Sequence, residues 1–293
     1  MTLTPIDLLH MGMERIIGVY VVETDDGLAL FDCGPSSTIA ALEAGLADRD
    51  LSLQDIRHLL LSHIHFDHAG AAGSLVREHP ELQVHVSEIG APHLVDPSRL
   101  ERSARRLYGE AFDMLWGALE PVPEENLHVV GDSAVGLEVF PTPGHASHHV
   151  SYLTRDGTLH AGDAVGVRIR PGRYIFPAAP PPDVDLEAWD RTLDEIERRR
   201  PARLALTHFG LADDVDAHLP RMREELARAA ERVRNGMTME EFADACRADV
   251  LASDEGDVAY YERAGPVWQT YLGLQRYWQK EAELGSASSD GGR

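Results

Sequence analysis

Lysine is nearly missing from this 293-residue chain. Lys280 is the only one, and arginine supplies the rest of the 27 basic residues, set against 49 acidic residues for a net charge of −22. So acidic a surface repels phosphate backbones and anionic lipid, which argues against nucleic acid and membranes as partners. Cysteine is scarce as well. Two of them, Cys33 and Cys246, cannot form the disulfide framework of a small secreted scaffold. No apolar run approaches the 18 residues of a membrane span. The opening MTLTPIDLLHMGMERII has no basic leader region and places Asp7 and His10 where a signal peptide needs an apolar core. A cytoplasmic location is therefore expected. What remains, 43% hydrophobic and 26% charged residues, is an ordinary globular composition, with length for one large or two small domains.

Along the chain, IIGVYVVE and LALFD around Asp25-Asp26-Gly27 read as two strands about a turn. A helix is expected over 37–49, a buried strand over 58–63, a helix over 69–79 and a strand over 82–87. This alternation implies an α/β protein. Residues 88–126 read as a helical insertion. Short strands follow in NLHVV, GLEVFPTP, HHVSYLT and TLHAGD, then a Pro-rich loop over 171–183, a helix over 185–199 and the strand LALTH. Beyond Gly210 the pattern is helical, with Thr238-x-x-Glu241 as a capping-box signal. These features divide the chain into a main α/β unit over 1–212, a C-terminal helical extension over 213–282 and a Gly/Ser-rich, disordered tail over 283–293. No repeat of 20–50 residues is visible.

The chemistry concentrates in Ser62-His63-Ile64-His65-Phe66-Asp67-His68, where three His and one Asp fall within six residues after an apolar strand. His63 and His65 can converge on one point from an extended turn, while Asp67 and His68 face a second point nearby. Imidazole and carboxylate are the donors that Zn(II) and similar ions take. Three more such residues stand at strand ends: His145 in PTPGH, Asp163 in LHAGD and His208 in LALTH. His63, His65 and His145 then make one three-ligand site, Asp67, His68 and His208 a second, and Asp163 can bridge the two with its two oxygens.

These motifs strongly resemble the metallo-β-lactamase superfamily of hydrolases, in its glyoxalase II and lactonase-like branch. The match rests on Phe31-Asp32-Cys33-Gly34, HIHFDH (63–68), TPGH (142–145), GD (162–163) and His208, in order over residues 15–210. The resemblance implies an αβ/βα sandwich with metals at one edge of two facing sheets, here carrying the helical insertion and the C-terminal helical extension. It implies two divalent metal ions, zinc first with iron or manganese as alternatives, held by His63, His65, Asp67, His68, His145, Asp163 and His208. Asp67 and Asp163 are the carboxylates assigned to catalysis. Asp32 and His149 are expected behind the ligands as supports, although a turn after a strand would also carry an Asp. The implied reaction is cleavage of a small ester, thioester or lactone. A mononuclear iron sulfur dioxygenase and a small-molecule phosphodiesterase on the same fold are the alternatives.

Two departures stand out. Glyoxalase II continues past TPGH with Thr-x-Gly-His, whereas this chain has Ala146-Ser147-His148-His149; many lactonases carry Tyr where Gly166 stands. Arg168, Arg170, Arg173 and Tyr174 leave the Asp163 segment directly and are the expected substrate contacts, with solvated ion pairing as the other reading of the arginines. The insertion, through Tyr108 and Trp116, and the aromatic stripe Trp268, Tyr271, Gln275 and Trp278 are further candidate walls for a small-molecule substrate. The stripe could instead pack against the main domain or a second copy in a homodimer.

Overall fold

Residues 4–253 and 257–290 are described by the computed structural model. The first half of the chain builds one six-stranded sheet and the second half another. The first holds β1 (Ile6–Asp7), β2 (Gly18–Thr24), β3 (Gly27–Phe31), β4 (Ile56–Leu60), β5 (Gln83–Val86) and β6 (Leu127–Val129), in that spatial order. The second holds β7 (Ser133–Ala134), β8 (Leu137–Pro141), β9 (Val150–Leu153), β10 (Thr158–His160), β11 (Arg203–Leu206) and β12 (Gly210–Ala212), ordered from β12 to β7. The helices are α1 (Ile39–Ala47), α2 (Phe66–Ala69), α3 (Ala72–Glu78), α4 (Ala91–Val95), α5 (Ser98–Tyr108), α6 (Phe112–Trp116), α7 (Leu186–Arg199), α8 (Val215–Arg234), α9 (Met239–Ala252), α10 (Val258–Ala264) and α11 (Val267–Asp290).

Strand alternation sorts the side chains into two layers. Tyr20, Val22, Ala29 and Phe31 from the first sheet meet Val139, Tyr152 and Ala205 from the second between the sheets. Their neighbours Val19, Leu30, Leu59 and Val84 join the other core cluster with Leu42 and Leu46 of α1 and Leu75 and Val76 of α3. Leu204 and Leu206 belong to that same cluster with Trp189 and Leu193 of α7. Strands β3 to β6 run parallel, so each connection must cross over. Helices make those crossings, and α4 to α6 are the insertion, between β5 and β6. The arrangement is the expected αβ/βα sandwich.

Three details differ from the sequence reading. The helix expected over 69–79 is split into α2 and α3 at Gly70, where a Cβ would lie 2.4 Å from the Phe66 carbonyl oxygen and 3.2 Å from Pro35 Cα. Helix does not begin directly after Gly210: β12 first pairs antiparallel with β11, and three residues are too few to show alternation. Helix α11 also reaches Asp290, covering most of the tail expected to be disordered, while residues 291–293 lie outside the described residues. The run Lys-Glu-Ala-Glu-Leu ahead of the Gly/Ser segment has high helix propensity, and extending a formed helix is far easier than nucleating one.

The capping box at Thr238 and Glu241 is formed and starts α9. The aromatic stripe of α11 packs inward: Tyr271 Oη donates to the Met237 carbonyl (3.1 Å) and Trp278 Nε1 to the Ala230 carbonyl (2.9 Å). Among the described residues no helix is long and apolar enough to cross a membrane.

Candidate metal centre

The motif loop leaves β4 at the end of the first sheet and turns into α2, carrying His63, His65, Asp67 and His68. Across from it the second sheet delivers His145 after β8, Asp163 after β10 and His208 after β11. Among the described residues, three groups have donor atoms close enough to hold a metal ion: His63, His65 and His145; His63, His68 and Asp163; and Asp67, His68 and His208. His65 Nδ1 lies 2.9 Å from His63 Nε2 and 3.0 Å from His145 Nε2. Asp163 stands between the histidines. Its Oδ2 is 3.4 Å from His145 Nε2, and its Oδ1 is 3.4 Å from His68 Nε2 and 3.6 Å from His208 Nε2. Asp67 Oδ2 is 3.5 Å from His208 Nε2 and 3.8 Å from His68 Nε2.

The rings are aimed by what their other nitrogens touch. His68 Nδ1–H donates to Asp32 Oδ2 (2.7 Å), His145 Nδ1–H to the Ala178 carbonyl (2.7 Å) and His208 Nδ1–H to the Ile16 carbonyl (2.6 Å). Ser62 Oγ donates to Asp32 Oδ2 (3.0 Å) and accepts from His63 Nδ1–H (2.9 Å). With one ring nitrogen tied to its outer partner, the other turns inward, so four rings present Nε2 to the centre, as a lone pair wherever the ring is neutral. Asp32 is wholly buried and sits in the left-handed region at φ 58°, a conformation an Asp tolerates. It also accepts from the Ser62 amide (2.8 Å) and Thr207 Oγ1 (3.1 Å). His149 is tied through Nδ1 to Thr142 Oγ1 (2.7 Å) and accepts the Asp163 amide through Nε2 (3.2 Å).

Charge inside this shell is unbalanced. Burial and crowding by neighbouring histidines hold His63 and His65 well below the usual imidazole range. Burial alone would also lower His68, but the carboxylates of Asp163, Asp67 and Asp32 outweigh it and hold that ring well above its ordinary value. Asp163 is the converse: burial would raise it, and His68, His208 and His145 together hold it well below the carboxylate range. Meanwhile His68 Nε2, His208 Nε2 and Asp163 Oδ1 are enclosed with no hydrogen-bond partner among the described residues. Buried polar atoms are normally satisfied. Three orphaned donor atoms converging among ionised carboxylates fit a cation.

All seven residues expected as ligands thus come together, and Asp32 and His149 lie directly behind them. The four expected substrate contacts do not join the cluster. Arg168 is buried, with its guanidinium 2.8 Å from Asp214 Oδ1 and its Nε donating to the Gly172 carbonyl (3.3 Å). Arg170 donates to the Leu211 carbonyl. Arg173 is exposed, and its carbonyl accepts from Arg221 (3.0 Å). Tyr174 is buried, and its phenol is raised by burial beside Cys246, Glu225 and Asp249 of the C-terminal helices. Cys33 is a small buried residue whose thiol donates to the His68 carbonyl (3.3 Å). The sequence reading missed Ser62, Thr142 and Thr207 as orienting groups. Ser62 and Thr207 stand immediately before ligand-type histidines, a signal that adjacency alone could have supplied.

Comparison with known proteins agrees with this architecture. ST1585 of Sulfurisphaera tokodaii, a metallo-beta-lactamase fold-containing protein, is 26% identical over 71% of this chain and 79% of its own. The probable metallo-hydrolase Rv2300c of Mycobacterium tuberculosis is 28% identical over 52% of this chain and 58% of its own. The crystal structure of ST1585 from Sulfolobus tokodaii covers 93% of this chain and 96% of its own, at TM-score 0.65 and 21% identity. That of TTHA1429, a metallo-beta-lactamase family protein of Thermus thermophilus, covers 91% and 89% at TM-score 0.64 and 21% identity. Residues 14–208 match the metallo-beta-lactamase superfamily model, and with the histidine and aspartate cluster falling inside that span, the chain belongs to the metallo-β-lactamase superfamily.

Proposed function

We propose that the protein is a hydrolase holding two divalent ions, one on His63, His65 and His145 and the other on Asp67, His68 and His208, with Asp163 shared between them. The observation that carries this reading is the placement of Asp163, whose two oxygens face different histidines, Oδ2 toward His145 and Oδ1 toward His68 and His208. Zinc suits these donors, and iron and manganese accept the same set. Ions bound there bring the pKa of water toward neutrality and polarise a carbonyl, so no protein nucleophile is needed. Asp163 and Asp67 supply the negative charge that retains the cations. Asp32, with Ser62, and the Ile16 and Ala178 carbonyls fix the rings so that the donor geometry exists before substrate arrives.

The substrate is a small ester, thioester or lactone. The TPGH and GD motifs support this choice over β-lactams, through their likeness to glyoxalase II and lactonases. The test is a hydrolysis screen of metal-replete protein across thioesters, lactones, β-lactams and phosphodiesters. Thioester or lactone turnover should lead and should vanish on thorough chelation. Cleavage of β-lactams alone, or turnover surviving chelation, overturns the reading.

A further inference from the structure

Most of the cluster is sealed. The side chains of His68, His208 and Asp163 are 0%, 1% and 6% exposed, whereas Asp67 is 24% exposed, and His65 and Phe66 beside it are half-buried. The cluster is therefore most open to solvent at Asp67, and the group beside it, led by Phe66, is aromatic. The Phe66 ring lies 5.8 Å from Trp116, Trp116 lies 5.3 Å from Tyr108, and Tyr108 lies 6.4 Å from Trp268. Gln269 Nε2 donates to Tyr108 Oη (2.6 Å), joining α11 to the insertion. Phe66 directly precedes Asp67 and touches Trp116, so the group lies on the Asp67 side of the centre.

Two atoms in this group lack partners. His10 is 4% exposed, and its ring stacks on Trp116 at 5.6 Å and 18°. Its Nε2–H donates to the Leu115 carbonyl (3.0 Å), which leaves Nδ1 as a bare acceptor. The Trp116 indole N–H is an enclosed donor. Neither His10 Nδ1 nor Trp116 Nε1 has a partner among the described residues. Buried indole N–H groups usually find one. A hydroxyl can donate to the first and accept from the second, whereas a carboxylate has no proton to offer Nδ1.

We propose that, granted the hydrolase reading above, this aromatic box receives the acyl part of the substrate, and that the preferred acyl group is a flat ring bearing a hydroxyl that pairs with His10 and Trp116. Phe66, Tyr108 and Trp268 supply the faces and edges on which such a ring packs. The insertion and α11 then set specificity, while the sheets hold the reacting centre.

The experiment compares the acetyl, phenylacetyl and 4-hydroxyphenylacetyl thioesters of N-acetylcysteamine on metal-replete protein, together with a calorimetric titration of 4-hydroxyphenylacetate. In the wild type kcat/KM should rise in that order, by roughly tenfold at each step. Trp116→Leu should collapse both steps with metal content unchanged. His10→Phe, which keeps a stacking ring, should lose only the hydroxyl step. Acetyl turnover equal to aryl turnover in the wild type, or a ranking that survives Trp116→Leu, overturns the proposal. Failure of the fully loaded protein to cleave any of the three thioesters counts against the hydrolase reading for this class, and the titration then decides the box alone. Binding of 4-hydroxyphenylacetate by the wild type but not by Trp116→Leu sustains it; equal binding, or none to either, overturns it.

Discussion

Asp163 faces histidines on two sides with a single side chain, Oδ2 toward His145 and Oδ1 toward His68 and His208. On the two-ion proposal, Asp163→Asn should lower metal content from two ions to below one per chain by elemental analysis after loading, because both its oxygens face histidines. His208→Ala, which touches one group only, should leave about one. Asp32 acts one layer back, aiming His68 and, through Ser62, His63. Asp32→Asn should weaken metal affinity by roughly 10- to 100-fold, the usual cost of losing a partner behind a ligand. A chelator competition that shows equal affinity for Asp32→Asn and wild type would remove that role.

At the scale of elements, the segment leaving Asp163 is a structural strap. Arg168 links it to Asp214 at the start of α8 and to the Gly172 carbonyl. Losing a hydrogen-bonded charge pair with one buried member costs about 1–2 kcal/mol when the partner, here a half-exposed Asp214, can return to water. Arg168→Ala should therefore lower the thermal midpoint, and a rise in KM with no change in midpoint would restore the substrate-contact reading. The same segment shows where sequence reasoning stops. HIHFDH was legible because its donors are packed into six residues, and the strand ends carrying His145, Asp163 and His208 showed as apolar runs closed by polar ones. The direction in which Arg168 points depends on Asp214, 46 residues away, and no local pattern records that pairing. Tyr108 and Trp116 were visible as a candidate wall, but His10 was not, since its place depends on the Leu115 carbonyl across the fold. The end of α11 is not legible in composition alone, because the helix formed before it extends into the Gly/Ser run.

For the whole molecule, the layer between the sheets carries a cost in acid. His160 lies fully buried beside Tyr20 and Phe31, and both its ring nitrogens lack partners among the described residues. Burial pushes it down to about 4 from 6.5. The unfolded chain therefore takes up this proton first, so the contribution of a neutral His160 to stability is complete above pH 6.5 and is lost as the pH falls toward 4. The shift corresponds to about 3 kcal/mol at most. In chelator, His160→Leu should flatten the fall in denaturation midpoint between pH 6.5 and 4.5 relative to wild type; parallel profiles would exclude the contribution. A different consequence follows from the ligands being divided between the sheets, with His63 to His68 on one and His145, Asp163 and His208 on the other. On the proposed assignment neither half of the chain holds a complete ion. During synthesis at about 5–20 residues per second, His208 leaves the ribosome some 7–30 s after His63. Loading of both ions is then a late event, open only to a chain whose second sheet has reached β11 and met the first.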